Sequence, residues 1–301
     1  MPFITIFTAP KPFTNPHINT IQRNALRSWL QRRTEVEVVV IGEEEGLAET
    51  AAELGILHLP NVERNAQGTP LVSSIFALAC AATDSPLMAY LNADILLLPG
   101  FAQAARLVHE QADEFLAVGQ RWDLDITRPR EFTPGWEDRL QADLERSGRL
   151  HRPQGSDYFI FPRGLFADMP HFAIGRAGWD NWMIYHARQQ DWPVVDLTPS
   201  VQVVHQNHDY SHLPGGRPHY DLEESDQNMR MAGGWHHMYP LLDTNRELRE
   251  GQIVKPRPSF LRLLRWTEVW LTPPDGRKEG LRWSLARQFR RRRRRLTGSL
   301  T

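Results

Sequence analysis

Over roughly the first 120 residues, short apolar runs alternate with stretches whose apolar positions recur at helical spacing. Residues 3–8 (FITIFT), 35–41 (EVEVVVI), 56–59, 87–91 and 115–119 are short, apolar and mostly β-branched or aromatic, and predict strands. Between them Ile18, Ile21, Ala25, Leu26 and Trp29 fall on one helical face over residues 17–30, and residues 47–54 read as a shorter helix. A third helix is predicted over 69–82, with Pro70 near its first turn, where proline is tolerated. A fourth opens near Pro99 and runs to Gln111. Strands alternating with helices in this way predict a parallel sheet covered on both faces.

The second half is less regular. A polar, partly helical insertion spans 130–152 and contains Trp136. Strands are predicted at 158–161, 194–197 and 201–205, with a helix at 180–190 after a glycine turn at 175–178. Residues 208–234, rich in His, Gly, Pro and acid, read as loop. Residues 259–271 (SFLRLLRWTEVWL) mix apolar and basic positions as a surface amphipathic helix does.

One stretch breaks the pattern. In MAYLNADILLLPGF the apolar run carries Asn92 and Asp94 in its middle. A buried charge is costly unless it is paired, hydrogen-bonded or bound to metal. In open α/β sheets, ligands bind where strands end and loops lead into helices. Asn92 and Asp94 are therefore expected at the carboxyl end of the fourth strand, on the binding face. There two oxygen-bearing side chains reach a divalent cation such as Mn²⁺ or Mg²⁺ together with a sugar or phosphate, or else serve as turn formers and caps for the helix at Pro99.

Three further segments fall on the same face. The loop Thr8-Ala9-Pro10-Lys11 suits a ligand held by backbone groups, or is an ordinary proline-stiffened turn. In Gly178-Trp179-Asp180-Asn181-Trp182, Asp180 is either a general base beside aromatic walls or an N-cap between core tryptophans. His205 and His208, followed by Asp209 and His212, either complete a cation site with Asp94 or are structural histidines.

Composition narrows the class. At 301 residues and 41% hydrophobic, the chain can bury one large α/β domain or two small ones. A single cysteine, Cys80, excludes an internal disulfide framework. No apolar run approaches the ~18 residues of a membrane span, and the opening MPFITIF lacks the basic region of a signal peptide, so the expected compartment is the cytoplasm.

The net charge of −1 conceals two opposite halves. Residues 255–301 carry 14 basic and 3 acidic side chains, against 21 and 33 in residues 1–254. An acidic body without a recognition motif argues against a nucleic-acid partner. The six arginines Arg290 to Arg295 are read as part of a solvated, partly disordered tail, with a peripheral role on the inner face of an anionic membrane.

Taken in order, the first strand with its proline-containing loop, VEVVVIGEEEG, GTPLVSSIFALAC, LMAYLNADILL, QGSDYFIFPRGLF and GWDNWM resemble the GT-A nucleotide-sugar glycosyltransferases over roughly residues 3–210. The resemblance implies an α/β, Rossmann-like fold with a mostly parallel central sheet and helices on both faces. Residues 1–254 would form the transferase domain and 255–301 a basic C-terminal appendage. It implies Thr8, Ala9 and Lys11 lining the nucleotide pocket, Glu43 facing base or ribose, and Asn65, Gly68 and Thr69 bordering the nucleotide. Asp94 would hold the cation against the diphosphate of a UDP-type donor, with Asn92 or the Ala93 backbone on the sugar or ribose. Asp157 and Trp179 would contact sugar, Asp180 would be the base of an inverting transfer, and His205 or His208 a late metal ligand. The acceptor would be a glycan, lipid-linked or other hydroxyl, as in polysaccharide biosynthesis.

This sequence has Asn92 where the family's Asp-x-Asp motif has its first aspartate, which leaves one anionic ligand fewer. Two other readings compete. A nucleotidyltransferase on a related sheet is disfavoured because FTAPKPFTNP lacks the glycines of a phosphate loop. A carbohydrate- or metal-binding module without turnover gives no reason for a base-like Asp180.

Overall fold

The computed structural model describes residues 2–208, 222–273 and 277–297. In chain order the elements begin with β1 (Ile4–Thr8), α1 (Pro16–Leu30), β2 (Val36–Ile41), α2 (Leu47–Leu54), β3 (Leu57–Leu59), α3 (Val72–Ala82) and β4 (Leu87–Leu91). Next come β5 (Ile95–Leu97), α4 (Phe101–His109), β6 (Leu116–Val118), β7 (Trp122–Leu124), α5 (Trp136–Ser147), β8 (Arg149–Leu150) and β9 (Tyr158–Pro162). The remainder comprises α6 (Trp179–Gln189), β10 (Val194–Asp196), β11 (Val203–Gln206), α7 (Glu223–Met231), β12 (Arg246–Arg249), β13 (Gln252–Val254), α8 (Phe260–Leu271) and α9 (Gly280–Leu296).

Nine strands form the central sheet in the order β13-β12-β10-β6-β9-β4-β1-β2-β3. The β1, β2, β3 and β4 pairings are parallel, as are those of β10 with β6 and β12. β9 runs antiparallel between β4 and β6, and β13 is an antiparallel edge. Alternate strand residues point to opposite faces, and both faces are covered. Ile4, Ile6, Val38 and Val40 pack with α1, α2 and α4, while Phe7, Val39 and Ile41 pack with α3 and α6. This is the mostly parallel, doubly covered α/β sheet that the hydrophobic pattern predicts.

Four local expectations are revised. The apolar run after Asp94 does not pass directly into a helix: residues 95–97 form β5, which leaves the central sheet and starts a second one, ordered β5-β11-β7-β8. α3 opens at Val72, not at 69, because Pro70 and Leu71 are held extended by bridges to Arg64 and Ala173. Within the segment expected to be loop, residues 223–231 form α7, and Asp209 and His212 lie outside the described residues.

The arginine run, expected in a solvated and partly disordered tail, is helical in α9. The cause is a buried ion cluster. Glu268 of α8 accepts from Arg265 Nη1 (3.0 Å), Arg290 Nε (2.7 Å) and Arg293 Nε (2.9 Å), and Arg265 in turn pairs with buried Asp243 (2.8 Å). The three guanidinium groups outweigh the effect of burial and keep the Glu268 carboxyl below its usual range.

Candidate functional site

The small second sheet assembles the site. Asp94 lies between the end of β4 and the start of β5, and β5 pairs antiparallel with β11 so that Ile95 faces His205. On the other side of β11, β7 places Asp123 opposite His205. The Asp94 carbonyl accepts from the Gln206 N–H (3.2 Å) and from Gln206 Nε2 (3.1 Å), which fixes the residue against β11.

Asp94 Oδ2 lies 3.1 Å from His208 Nε2 and 3.8 Å from His205 Nε2. One potential ligand atom from each of the three residues lies within 4.8 Å of the others. Asp94 Oδ1 is buried with no hydrogen-bond partner among the described residues. Burial pushes the Asp94 carboxyl upward, but His205, His208 and Lys11 outweigh it and hold the carboxyl well below the usual range. It is therefore ionised at neutral pH. Lys11 Nζ sits 3.2 Å from His208 Nε2, and burial lowers its pKa against the pull of Asp94 and Asp157.

One carboxylate with a free buried oxygen and two imidazoles fits a divalent cation. The nitrogen donors suit Mn²⁺ better than Mg²⁺, which prefers an all-oxygen shell. A ring of partners holds these groups. Asp123 Oδ1 is 3.4 Å from His205 Nδ1 and accepts from Arg121 Nε (2.9 Å), while Asp123 Oδ2 is 2.6 Å from His151 Nδ1. Against the effect of burial, His151, His205 and Arg121 keep Asp123 far below the ordinary carboxylate range. A carboxylate on one ring nitrogen orients the other, and here it turns His205 Nε2 toward Asp94.

Asn92 belongs to a second corner. Its N–H donates to the Asp157 carbonyl (2.9 Å), its Nδ2 donates to Asp157 Oδ1 (2.7 Å), and its Oδ1 accepts from the Tyr90 hydroxyl (3.2 Å). Arg121 Nη1 donates to the same Asp157 oxygen at 2.5 Å. The amide thus does what a carboxylate at position 92 cannot: it donates to Asp157. Ala93, buried, lies between the two corners.

Asp180 stands in the first turn of α6, after Gly178 at φ 115°, a backbone angle that favours glycine. Burial raises its pKa to about 6, opposed by the N–H of Asn181 and reinforced by Asp157. Trp179 is only 5% exposed and packs edge-on against Tyr90 (5.1 Å) and near Phe159 (5.4 Å), so it floors the site from within the core. Burial, followed by Asp94, Asp157 and Asp180, holds the Tyr90 phenol far above its ordinary pKa. All three carboxylates thus add to the effect of burial on this one phenol.

The other predicted residues occupy the sheet's carboxyl edge and the loops beside it. Thr8 ends β1, buried, with its Oγ1 lacking a partner among the described residues, and Ala9 is half-buried. The Lys11 backbone is clamped by Gln22 in both directions (2.6 and 2.9 Å). Asn65 Oδ1 accepts from the N–H groups of Gln67 (3.0 Å) and Thr69 (2.9 Å), closing a turn with Gly68 at φ 81°. Asn65 Nδ2 donates to Glu224 of α7 (2.7 Å), which also pairs with Arg176 (2.7 Å). Glu43 is exposed on a separate cleft of about 300 Å³ lined by Glu44, Glu45, Glu49 and His58. No hydrogen bond or ion pair among the described residues joins Glu43, Asn65, Gly68 or Thr69 to the Asp94 cluster.

No protein-family profile and no curated protein matches the chain in sequence. Solved structures resemble it in fold. The mannosyltransferase PcManGT from Pyrobaculum calidifontis, in complex with GDP-Man and Mn²⁺, aligns with 70% of this chain and 59% of its own, at 14% identity and TM-score 0.44. The S. aureus protein TarS, in complex with UDP-GlcNAc, aligns with 77% of this chain and 65% of its own, at 14% identity and TM-score 0.49. Both hold a nucleotide sugar. The chain thus spans under two thirds of either protein's length, and the likeness is one of fold.

Sequence reasoning did not single out Tyr90, Arg121, Asp123 or His151. The segment GQRWD, which follows a predicted strand as NAD does, carries the same kind of polar interruption and was the available signal.

Proposed function

We propose that this protein transfers a sugar, of the hexosyl class, from a nucleotide-diphosphate donor to a hydroxyl acceptor with inversion, assisted by a divalent cation. What supports this reading is a pair of features: an ionised carboxylate grouped with two imidazoles where β4 ends, and a second carboxylate in the first turn of α6 with its pKa raised to about 6. In this reading Asp94, His205 and His208 hold Mn²⁺. When bound, the cation neutralises charge on the departing diphosphate.

The remaining work falls to the chain's own side chains. Lys11 adds positive charge beside Asp94. Thr8, with its unpartnered buried hydroxyl, and Ala9 border the nucleotide, as do Asn65, Gly68 and Thr69, with Glu43 at its outer end. Asp157, held by Asn92 and Arg121, accepts hydrogen bonds from sugar hydroxyls above the floor made by Trp179. Asp180 takes the acceptor's proton as the acceptor oxygen bonds to the anomeric carbon and the bond from that carbon to the diphosphate oxygen breaks. A base with a pKa of about 6 is ionised at pH 7 and remains basic enough to share the proton in the transition state. The acceptor is a glycan, a lipid-linked sugar or another hydroxyl.

The test is a thermal-shift panel of UDP, GDP, CDP and ADP, with and without Mn²⁺, on the wild type and on Asp94→Ala. A ligand at a hundredfold excess over its dissociation constant stabilises the native state by about 2.7 kcal/mol. The expected result is a Mn²⁺-dependent shift with one nucleotide that Asp94→Ala abolishes. No shift with any nucleotide, in a folded sample, overturns the reading in favour of a binding module without turnover.

A further inference from the structure

Six of the ten exposed large apolar side chains among the described residues lie on the C-terminal helical hairpin. Phe260, Leu263, Trp266 and Trp270 of α8 are exposed, the two tryptophans at 66% and 63%. They occur at i, i+3, i+6 and i+10, and Leu263, Trp266 and Trp270 turn away from the face that buries Leu264, Glu268 and Leu271. The Glu268 cluster joins the two helices on the buried face of α8.

Arginines of α9 adjoin this stripe at both ends. The Arg292 guanidinium lies over the Phe260 ring at 5.3 Å, and Arg282 Nη2 donates to the Trp270 carbonyl at 2.9 Å. Glu268 draws Arg290 and Arg293 inward, leaving Arg291, Arg292, Arg294 and Arg295 exposed. An apolar stripe with tryptophans, flanked by cations and carried on a short surface helix, matches a lipid interface: apolar side chains enter the acyl boundary while cations meet anionic headgroups. No helix among the described residues is long and apolar enough to cross a membrane.

We propose that the α8–α9 hairpin docks this protein on the surface of an anionic phospholipid bilayer. Charge complementarity selects anionic lipid, and the exposed tryptophans select a bilayer over a nucleic acid, which would use the arginines and leave the stripe in water. The surface also reaches the candidate site. Thr297, the C-cap of α9, accepts at its Oγ1 from Gln154 Nε2 (3.2 Å), and the Gln154 carbonyl accepts from Asn181 Nδ2 (3.2 Å), the neighbour of Asp180. A docked hairpin brings the loop beside Asp180 toward lipid, where it suits a lipid-borne acceptor. That last step alone rests on the transfer reading.

The experiment is co-sedimentation of the full chain with phosphatidylcholine vesicles, with and without phosphatidylglycerol. It needs no nucleotide or sugar, so its failure is separate from failure of the transfer reading. The wild type should pellet only with the phosphatidylglycerol vesicles. Trp266→Ser/Trp270→Ser should weaken pelleting about tenfold or more, and Arg291→Gln/Arg292→Gln should weaken it several-fold and more at low salt than at high salt. Three results overturn the proposal: a wild type that stays in the supernatant, a tryptophan variant that pellets like the wild type, or pelleting abolished by a competing oligonucleotide. Self-association lost in the tryptophan variant, without vesicle binding, assigns the stripe to a second copy instead.

Discussion

Asp94 and Asp180 are carboxylates that both raise the pKa of the Tyr90 phenol, and their surroundings drive them in opposite directions. For both, the largest single effect is burial, which favours the neutral acid. Around Asp94 two imidazoles and an ammonium reverse it. Around Asp180 only the N–H groups of a helix first turn oppose it, and Asp157 adds to it. The contrast shows that residue type does not set the role here. A carboxylate surrounded by cations and imidazoles is suited to holding charge, whereas one flanked by another carboxylate is suited to exchanging a proton.

The sharpest way to break this contrast is Asp180→Asn. Transfer should fall about 10²–10⁴-fold, the usual weight of general-base catalysis, while the Mn²⁺- and nucleotide-dependent thermal shift persists. Near-normal transfer would remove Asp180 from the mechanism. A smaller effect is expected from Asp123→Asn, which leaves the three proposed ligands in place. Loss of an outer partner of this kind costs about 10–100-fold in metal affinity, so Mn²⁺ titration by calorimetry should show a weakened site, and unchanged affinity would mean that Asp123 does not orient His205.

The elevated pKa of Asp180 makes two pH-dependent predictions. In the proposed mechanism the base must be ionised, so the transfer rate at saturating substrate should fall about tenfold per unit below pH 6. A flat profile from pH 5 to 8 would be inconsistent with that role. The effect on stability has the opposite sense. With a native value of about 6 against an unfolded value near 4, the native state binds more protons between those limits. This group's contribution to stability is complete below about pH 4 and is lost as pH rises through 6. Asp180→Asn should therefore melt no lower than the wild type at pH 7–8, with any gain disappearing near pH 4. A lower melting temperature at pH 8 would mean that the ionised carboxylate is structurally required.

The parts of this molecule that were legible in its sequence share a physical property: their signal is local. β1, β2 and β4 are apolar on both faces because the sheet is covered on both sides. Helices α1 and α2 show their buried faces in the spacing of apolar residues, and α2 has the predicted bounds. NAD was conspicuous for the same reason, as a polar interruption inside an apolar run. Apart from β11, which the strand predicted at 201–205 anticipates, the second sheet gave no such signal. β5, β7 and β8 have two or three residues each, too few for a period to emerge, and they are strands only because β11 and one another are available to pair with. That Arg290 and Arg293 turn inward from the arginine run was not legible, because their counterion, Glu268, is 22 residues away from Arg290 along the chain.

The sequence by itself determined the class of fold, the position of Asp94 at a strand's end, and the division into an acidic body and a basic appendage. These follow from the period of apolar residues and from net charge, which can be read within one segment. Only the tertiary structure decided that Asn92 holds Asp157, that Asp123 backs His205, that Asp94 and Asp180 titrate apart, and that the arginines form an ordered face beside two exposed tryptophans. Each of these depends on burial and on charges brought together from distant segments. Electrostatic energy varies with separation in space and with local solvation, and neither is set until the chain has folded.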